Sequence, residues 1–407
     1  MSDMHSDVVI VGAGPIGQCI AIGLAQFDLS VCLVDGQDIS AQSASTQQRM
    51  LTKEFSPRVS AISLASQRVF ERLGVWQHIM RKAEYTNMHV WEDQAFGEIQ
   101  FDDPQHKSLG HIVENDVLVS AGLSKIASLP NVSLIQSDRL ESIEQAGDMQ
   151  RVGFNKHAPC YAKLVIGADG INSKVRELAG FKQTFWDYDQ TALVGTVRTE
   201  HAHQFCARQA FSANGPLAFL PLSDPHHCSI VWSQDTAYAE RLANMAKQDF
   251  EKALQVAINN TLGACELVGE LGQFSLRMQY ARQWLTDGIV LAGDAAHSIH
   301  PLAGQGMNLG ILDAAALVQL IEQALQTKRA FHTADALGHY QRWRKAEALK
   351  MIATMQAFRQ GFAGNNPLKK LIRNAGLWTA NRVPMCKSFF IQQAIGGSAN
   401  LPRLAKL

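Results

Sequence analysis

The sequence predicts an α/β protein: a parallel sheet covered by helices, interrupted by an inserted antiparallel sheet and followed by a helical C-terminal segment. Three observations predict it. The chain opens on an apolar strand, a glycine-rich turn, a helix and a second apolar strand, which is the βαβ unit of a parallel sheet. Its middle carries β-rich runs bounded by turn residues. After about Thr333 the pattern is helical to the end.

The elements follow in order. A strand is expected over residues 7–11, a turn over 12–17, a helix over 16–27 and a strand over 30–35. Residues 46–63 are polar and read as irregular, and a helix follows over 64–73. The apolar run 162–169 is a strand that ends in a turn. Residues 192–197, 217–222 and 228–232 supply strands of the inserted sheet. Residues 288–292 return the chain to the first sheet and lead to a long helix over 306–326.

Composition narrows the function classes. A chain of 407 residues, 46% hydrophobic and 18% charged, is globular and long enough for two packed domains. Lys+Arg and Asp+Glu balance at 37 each, so no basic field points to nucleic acid. The seven cysteines are odd in number and contain no C-x-x-C pair. A disulfide framework or a bound metal is therefore not expected, and a reducing cytoplasm is. Residues 8–25 are apolar apart from Gln18, which superficially suggests a short membrane span. Asp7, the lack of a basic leader, Pro15 and the interior glycines argue instead for a buried strand and helix.

Three motifs carry chemistry. Gly12–Ala13–Gly14–Pro15–Ile16–Gly17 is a complete G-x-G-x-x-G between a strand and a helix. Its glycines allow a tight turn, close approach of a pyrophosphate and close helix–strand packing. Asp35 ends the next strand, where a carboxylate can accept from a ribose. Gly167–Ala168–Asp169–Gly170, with Ser173 and Arg176 behind it, either supports that loop or simply caps a helix through Asp169. Gly293–Asp294–Ala295–Ala296–His297 closes a strand, and His300–Pro301–Leu302–Ala303–Gly304–Gln305–Gly306–Met307–Asn308 leads into the long helix. Asp294 suits a sugar hydroxyl, and the glycines let backbone amides lie against a flat ring.

The three motifs in this order resemble the class A flavoprotein aromatic hydroxylases. Residues 300–312 look like the signature of the ubiquinone-biosynthesis ring hydroxylases. Residues 109–115, 185–188 and 217–226 extend the likeness toward the UbiI-type 2-polyprenylphenol hydroxylases. The resemblance implies a Rossmann-like, glutathione-reductase-like FAD-binding domain in three parts (1–75, 111–184 and 286–332). It also implies a substrate domain made of segment 76–110 and β-sheet 185–285, and C-terminal helices over 333–407. It places flavin contacts on Gly12, Gly14, Pro15, Ile16, Gly17, Asp35, Arg58, Asp169, Gly293, Asp294, Gly304, Gln305, Gly306, Met307 and Asn308. Position 116, basic or Gln in many members of the wider class, is Asp116 here.

The implied reaction is ring hydroxylation of a polyprenylphenol by FAD, NADPH or NADH and oxygen through a flavin C4a-hydroperoxide. The single G-x-G-x-x-G agrees with transient nicotinamide docking. His297, His300 and Pro301 are candidates beside the ring, although a packed, hydrogen-bonded histidine is an equal reading for each. Phe219, Leu220 and Pro221 are candidate walls for an apolar substrate. Arg342, Arg344, Lys345, Lys350, Arg359, Lys369, Lys370 and Arg373, interleaved with Trp343, Ile352, Met355, Phe358 and Phe362, form either ordinary packed helices or a lipid-facing surface. A partner complex, a homo-oligomer and a peripheral place at the inner membrane are further expectations from the resemblance. Two other readings stay open: an isoprenoid double-bond reductase and a non-catalytic binder of prenylated ligands on the same scaffold.

Overall fold

The computed structural model describes residues 3–92, 97–102, 107–212, 214–298, 306–362, 392, 395–397 and 400–407. Its first sheet is built on Met4–Val11, flanked in parallel by Val31–Val34 and Cys160–Gly167. Val132–Ile135 and Ile289–Leu291 extend it in parallel on either side. The central strands bury nearly every side chain, as parallel strands covered on both faces must. Helix Pro15–Ala25 packs on helix Gly306–Gln326 so closely that a Cβ at Gly23 would lie 2.7 Å from Val318. That fit explains the apolarity of residues 8–25 as core. Among the described residues no helix is long and apolar enough to cross a membrane.

The second sheet has eight strands among the described residues. Gln183–Thr199 is its spine, paired antiparallel to His227–Asp235 on one side and to Cys265–Ala281 on the other. Gly215–Pro221 and Cys206–Ser212 continue it. The expected antiparallel sheet has one parallel pairing, Asn87–Glu92 beside Cys206–Ser212. The edge pair His297–Ser298 belongs to this second sheet, bonded to Gln279 and Tyr280. The segment leaving Ile289–Leu291 in the first sheet therefore crosses directly into the second, and the cleft between the sheets opens at that crossing.

Two sequence expectations are corrected. Residues 46–63 are not irregular throughout: helix Ile39–Leu51 reaches into them and Val59–Ser63 is a strand. The helix escaped notice because it buries only Ile39, Ser43 and Thr46, too thin a stripe for a 3.6-residue apolar pattern. Asp38 caps it by accepting from the Ala41 amide, and Ser43 bonds Ser120 on the neighbouring helix Asn115–Ile126. Second, Arg344 does not belong to an exposed basic face. It is 1% exposed and turned inward. Helix Ala334–Phe362 packs on the core through Trp343 and Ile352, while Lys369, Lys370 and Arg373 lie outside the described residues. The six described cysteines are free.

Candidate active site

A cavity of about 550 Å³ lies between the two sheets. One wall is made by the turns of the first sheet: Gly14, Pro15, Ile16, Ala168, Gly170, Asp294, Gly306 and Met307. The opposite wall is the face of the second sheet, with Ala192, Val194, Ala218, Leu220, Val231 and Leu276. All three sequence motifs thus converge on one space.

The first turn explains its own glycines. Gly12 sits at φ +104°, and a Cβ there would collide with the Ala168 carbonyl. A Cβ at Gly17 would collide with the Gly12 carbonyl. Gly14 differs: nothing lies within 4 Å of its would-be Cβ, and the same holds at Gly170 and Gly306. Those three edges are open toward the cavity rather than packed against protein. Gly14 is the N-cap of helix Pro15–Ala25 with no side-chain cap, so the Ile16 and Gly17 amides have no intrahelical acceptor. Such a helix start attracts phosphate.

The acidic residues divide into braces and free groups. Asp35 accepts from the Ala13 amide at 2.7 Å and the Gln37 amide at 2.8 Å, which holds the glycine turn in shape. Asp169 accepts from Ser173 Oγ and from the Lys174 and Val175 amides, so its carboxylate caps helix Lys174–Leu178. Behind it, Arg176 donates to the Ala295 and Ile171 carbonyls and ties two lining loops together. Asp294 alone has no hydrogen-bond partner among the described residues. Its surface opens onto the cavity, yet the surrounding protein desolvates it; burial pushes its carboxyl above the ordinary value, against the opposing pull of His297 and Arg58. Arg58 stands exposed at the cavity margin, its guanidinium 5.5 Å from the centre of the Phe274 ring.

His297 is placed behind the wall. It is 1% exposed, and its Nε2 lies 2.5 Å from Asp313 Oδ2. Asp313 also accepts from Arg344 Nε at 2.7 Å and from the Gly293 amide at 3.2 Å. This buried cluster holds the turn that presents Asp294. Asn308 donates to the Ala61 carbonyl and accepts from the Ser63 amide, bracing the start of the long helix against strand Val59–Ser63. Asp116 is paired with Arg49 at 2.7 Å and accepts from Ser56. His300, Pro301, Gly304 and Gln305 lie outside the described residues.

On the second sheet, strand alternation decides which residues face the cavity. Leu220 lines it; Phe219 points to the opposite face, fully buried with Ile230, Trp232 and Leu254. Pro221 is buried and does not line the cavity. Sequence reading missed Pro216 and Ala218, which share Leu220's parity, and missed Ala192, Val194 and Phe274. The period of two was present, but the sequence does not say which parity faces inward.

The residues present fit FAD. Open glycine edges and two helix starts suit a dinucleotide pyrophosphate, and the unpartnered Asp294 suits a polyol hydroxyl. One wall of the cavity thus fits a dinucleotide cofactor and faces a largely apolar wall. The family model described as "FAD binding domain" matches residues 5–354. The chain is 34% identical over 400 residues to the 3-demethoxyubiquinol 3-hydroxylase of Escherichia coli, covering 97% of this chain and 100% of that one. It is 30% identical to the ubiquinone hydroxylase UbiL of Rhodospirillum rubrum, covering 97% and 90%. Among solved structures, p-nitrophenol 4-monooxygenase PnpA from Pseudomonas putida DLL-E4 matches in fold, with a TM-score of 0.78 at 17% identity, covering 98% of this chain and 100% of that one. The chain belongs to the FAD-binding domain family and is an FAD-dependent monooxygenase of the hydroxylase group those two relatives represent. The UbiI-type branch is not singled out by these likenesses.

Proposed function

We propose that this enzyme hydroxylates the aromatic ring of a polyprenylphenol in ubiquinone biosynthesis, using NADPH or NADH and molecular oxygen. The observation that carries the reading is the two-sided cavity: a cofactor wall of glycine edges and Asp294 opposite an apolar sheet wall. The likeness to a 3-demethoxyubiquinol 3-hydroxylase and to a ubiquinone hydroxylase supports it.

FAD, when bound, supplies hydride acceptance and oxygen activation. The chain's own groups do the rest. The amides at the start of helix Pro15–Ala25 hold phosphate, and Asp294 accepts from a hydroxyl. Arg58 would add positive charge at the cavity margin toward an anionic cofactor. The helix that starts at Gly306 points its positive dipole end at the cavity and favours negative charge there. Ala192, Val194, Ala218, Leu220 and Val231 exclude water from the ring and receive an apolar substrate. His297 acts through the Asp294 turn rather than on the ring.

The test is aerobic incubation of the yellow protein with NADPH and 2-geranylphenol. The reading expects a product one oxygen heavier and none under argon. A product that gains two hydrogens under argon would replace it with an isoprenoid reductase.

A further inference from the structure

Strand Cys206–Ser212 puts alternate residues on opposite sides of the second sheet. Arg208 turns away from the cavity and donates to the His203 and Cys206 carbonyls. Gln209 faces the cavity and lines it. It is 5% exposed, yet its side-chain amide has no hydrogen-bond partner among the described residues. Across the sheet Gln209 pairs with Ala218, Ala218 with Val231 and Val231 with Val194. The row is apolar except for this one amide.

The amide faces the open cavity, where a leucine would complete the same apolar wall. The amide offers what leucine lacks, an N–H donor pair and a carbonyl acceptor in one plane. That pairing suits an oxygen substituent on an arene. A phenol hydroxyl donates to Oε1, and a methoxy or carbonyl oxygen accepts from Nε2.

We propose that Gln209 reads an oxygen substituent of the substrate ring, so that the apolar wall selects an oxygenated arene over a plain one. The proposal rests on the ring-hydroxylation reading for its substrate class. It makes Gln209 a specificity residue of the cavity's sheet wall, with Ser233, 2% exposed and also lining the cavity, as the other buried polar side chain on that wall.

The test is the affinity of the FAD-loaded enzyme for 2-geranylphenol against geranylbenzene, read from the change in flavin absorbance on binding. The wild type is expected to favour the phenol by at least about tenfold, because a site built around a polar contact rejects the analogue lacking it. Gln209→Leu is expected to bring the ratio close to one through weaker phenol binding. Its flavin content stays unchanged and its thermal midpoint is equal or higher. Gln209→Glu keeps the shape and the acceptor and is expected to retain the preference for the phenol. A wild type indifferent to the two ligands, or a Gln209→Leu enzyme that keeps the full ratio, overturns the proposal. Binding needs no turnover, so the two readings fail separately. A Gln209-dependent ratio without any hydroxylated product sinks the hydroxylation reading alone; hydroxylation with a ratio indifferent to Gln209 sinks this one alone.

Discussion

Arg344→Met removes the guanidinium from the buried His297–Asp313–Arg344 cluster while keeping an unbranched apolar chain of similar reach. Asp313 then keeps only the His297 ring at 2.5 Å and the Gly293 amide at 3.2 Å, with no solvent to replace the lost donor. Taking one partner from a buried ion pair costs about 3–5 kcal/mol. For 407 residues the unfolding entropy is about 0.85 kcal/mol/K, so the midpoint falls by about 4–6 °C. The assay is scanning calorimetry at pH 7 with excess FAD. The pH dependence follows from Asp313. Burial alone would raise its carboxyl, but His297 and Arg344 together hold it below its ordinary 3.8. A depressed carboxyl stabilises above its unfolded value and loses that contribution as pH falls through the folded one. The wild type's share of this stability therefore persists down to about pH 4 and is lost below it. Asp313→Leu combined with Arg344→Met is expected to lose less than the single variant, because no charge is left unpaired. A single-variant midpoint within about 1 °C of wild type would refute the reasoning that this cluster bolts the Asp294 turn to the C-terminal helix.

Three further outcomes follow. Gly14→Ala is expected to fold normally, since no protein atom meets the new Cβ, but to bind FAD at least about tenfold more weakly; Gly12→Ala is expected to lose folded protein as well, and flavin content against apoprotein melting separates the two. Phe219→Ala is expected to cost about 3–5 kcal/mol in urea unfolding, whereas Leu220→Trp keeps FAD but fills the cavity and abolishes turnover. His111, pushed down to about 4 by burial and by nearby Lys82, stays neutral in the fold while the unfolded chain protonates near 6.5. Stability should therefore decline as pH falls from about 6.5 toward 4, and His111→Gln should flatten that slope in urea midpoints taken at each pH.

The cofactor half of the site was largely legible because glycine turns leave a fixed local signature. Gly12 needs positive φ and Gly17 needs no Cβ, and both needs appear as spacing in the chain. The roles of the acids were less legible. Asp35 and Asp169 look like ligand groups in sequence but spend their oxygens on backbone amides, whereas Asp294 has no hydrogen-bond partner among the described residues, a difference set by loop geometry. The substrate wall was hardest to read. Leu220 and Phe219 are neighbours of similar character on opposite faces, and the register that orients them comes from pairing with the next strand, Leu220 opposite Ser229 and Phe219 opposite Ile230. Strand Cys265–Ala281 escaped notice because much of it is exposed and polar. Asp313 left a trace, an acid within the apolar stretch 309–321 of the long helix, but its partner Arg344 was hidden among the basic residues of the following helix.

The most direct test of the account is the source of the oxygen atom. The FAD-loaded enzyme is incubated with NADPH and a short-chain polyprenylphenol under isotopically labelled dioxygen in ordinary water, then the reverse. The account predicts one labelled atom on the ring from labelled dioxygen and none from labelled water. Label arriving from water, or a product formed without dioxygen, would contradict it.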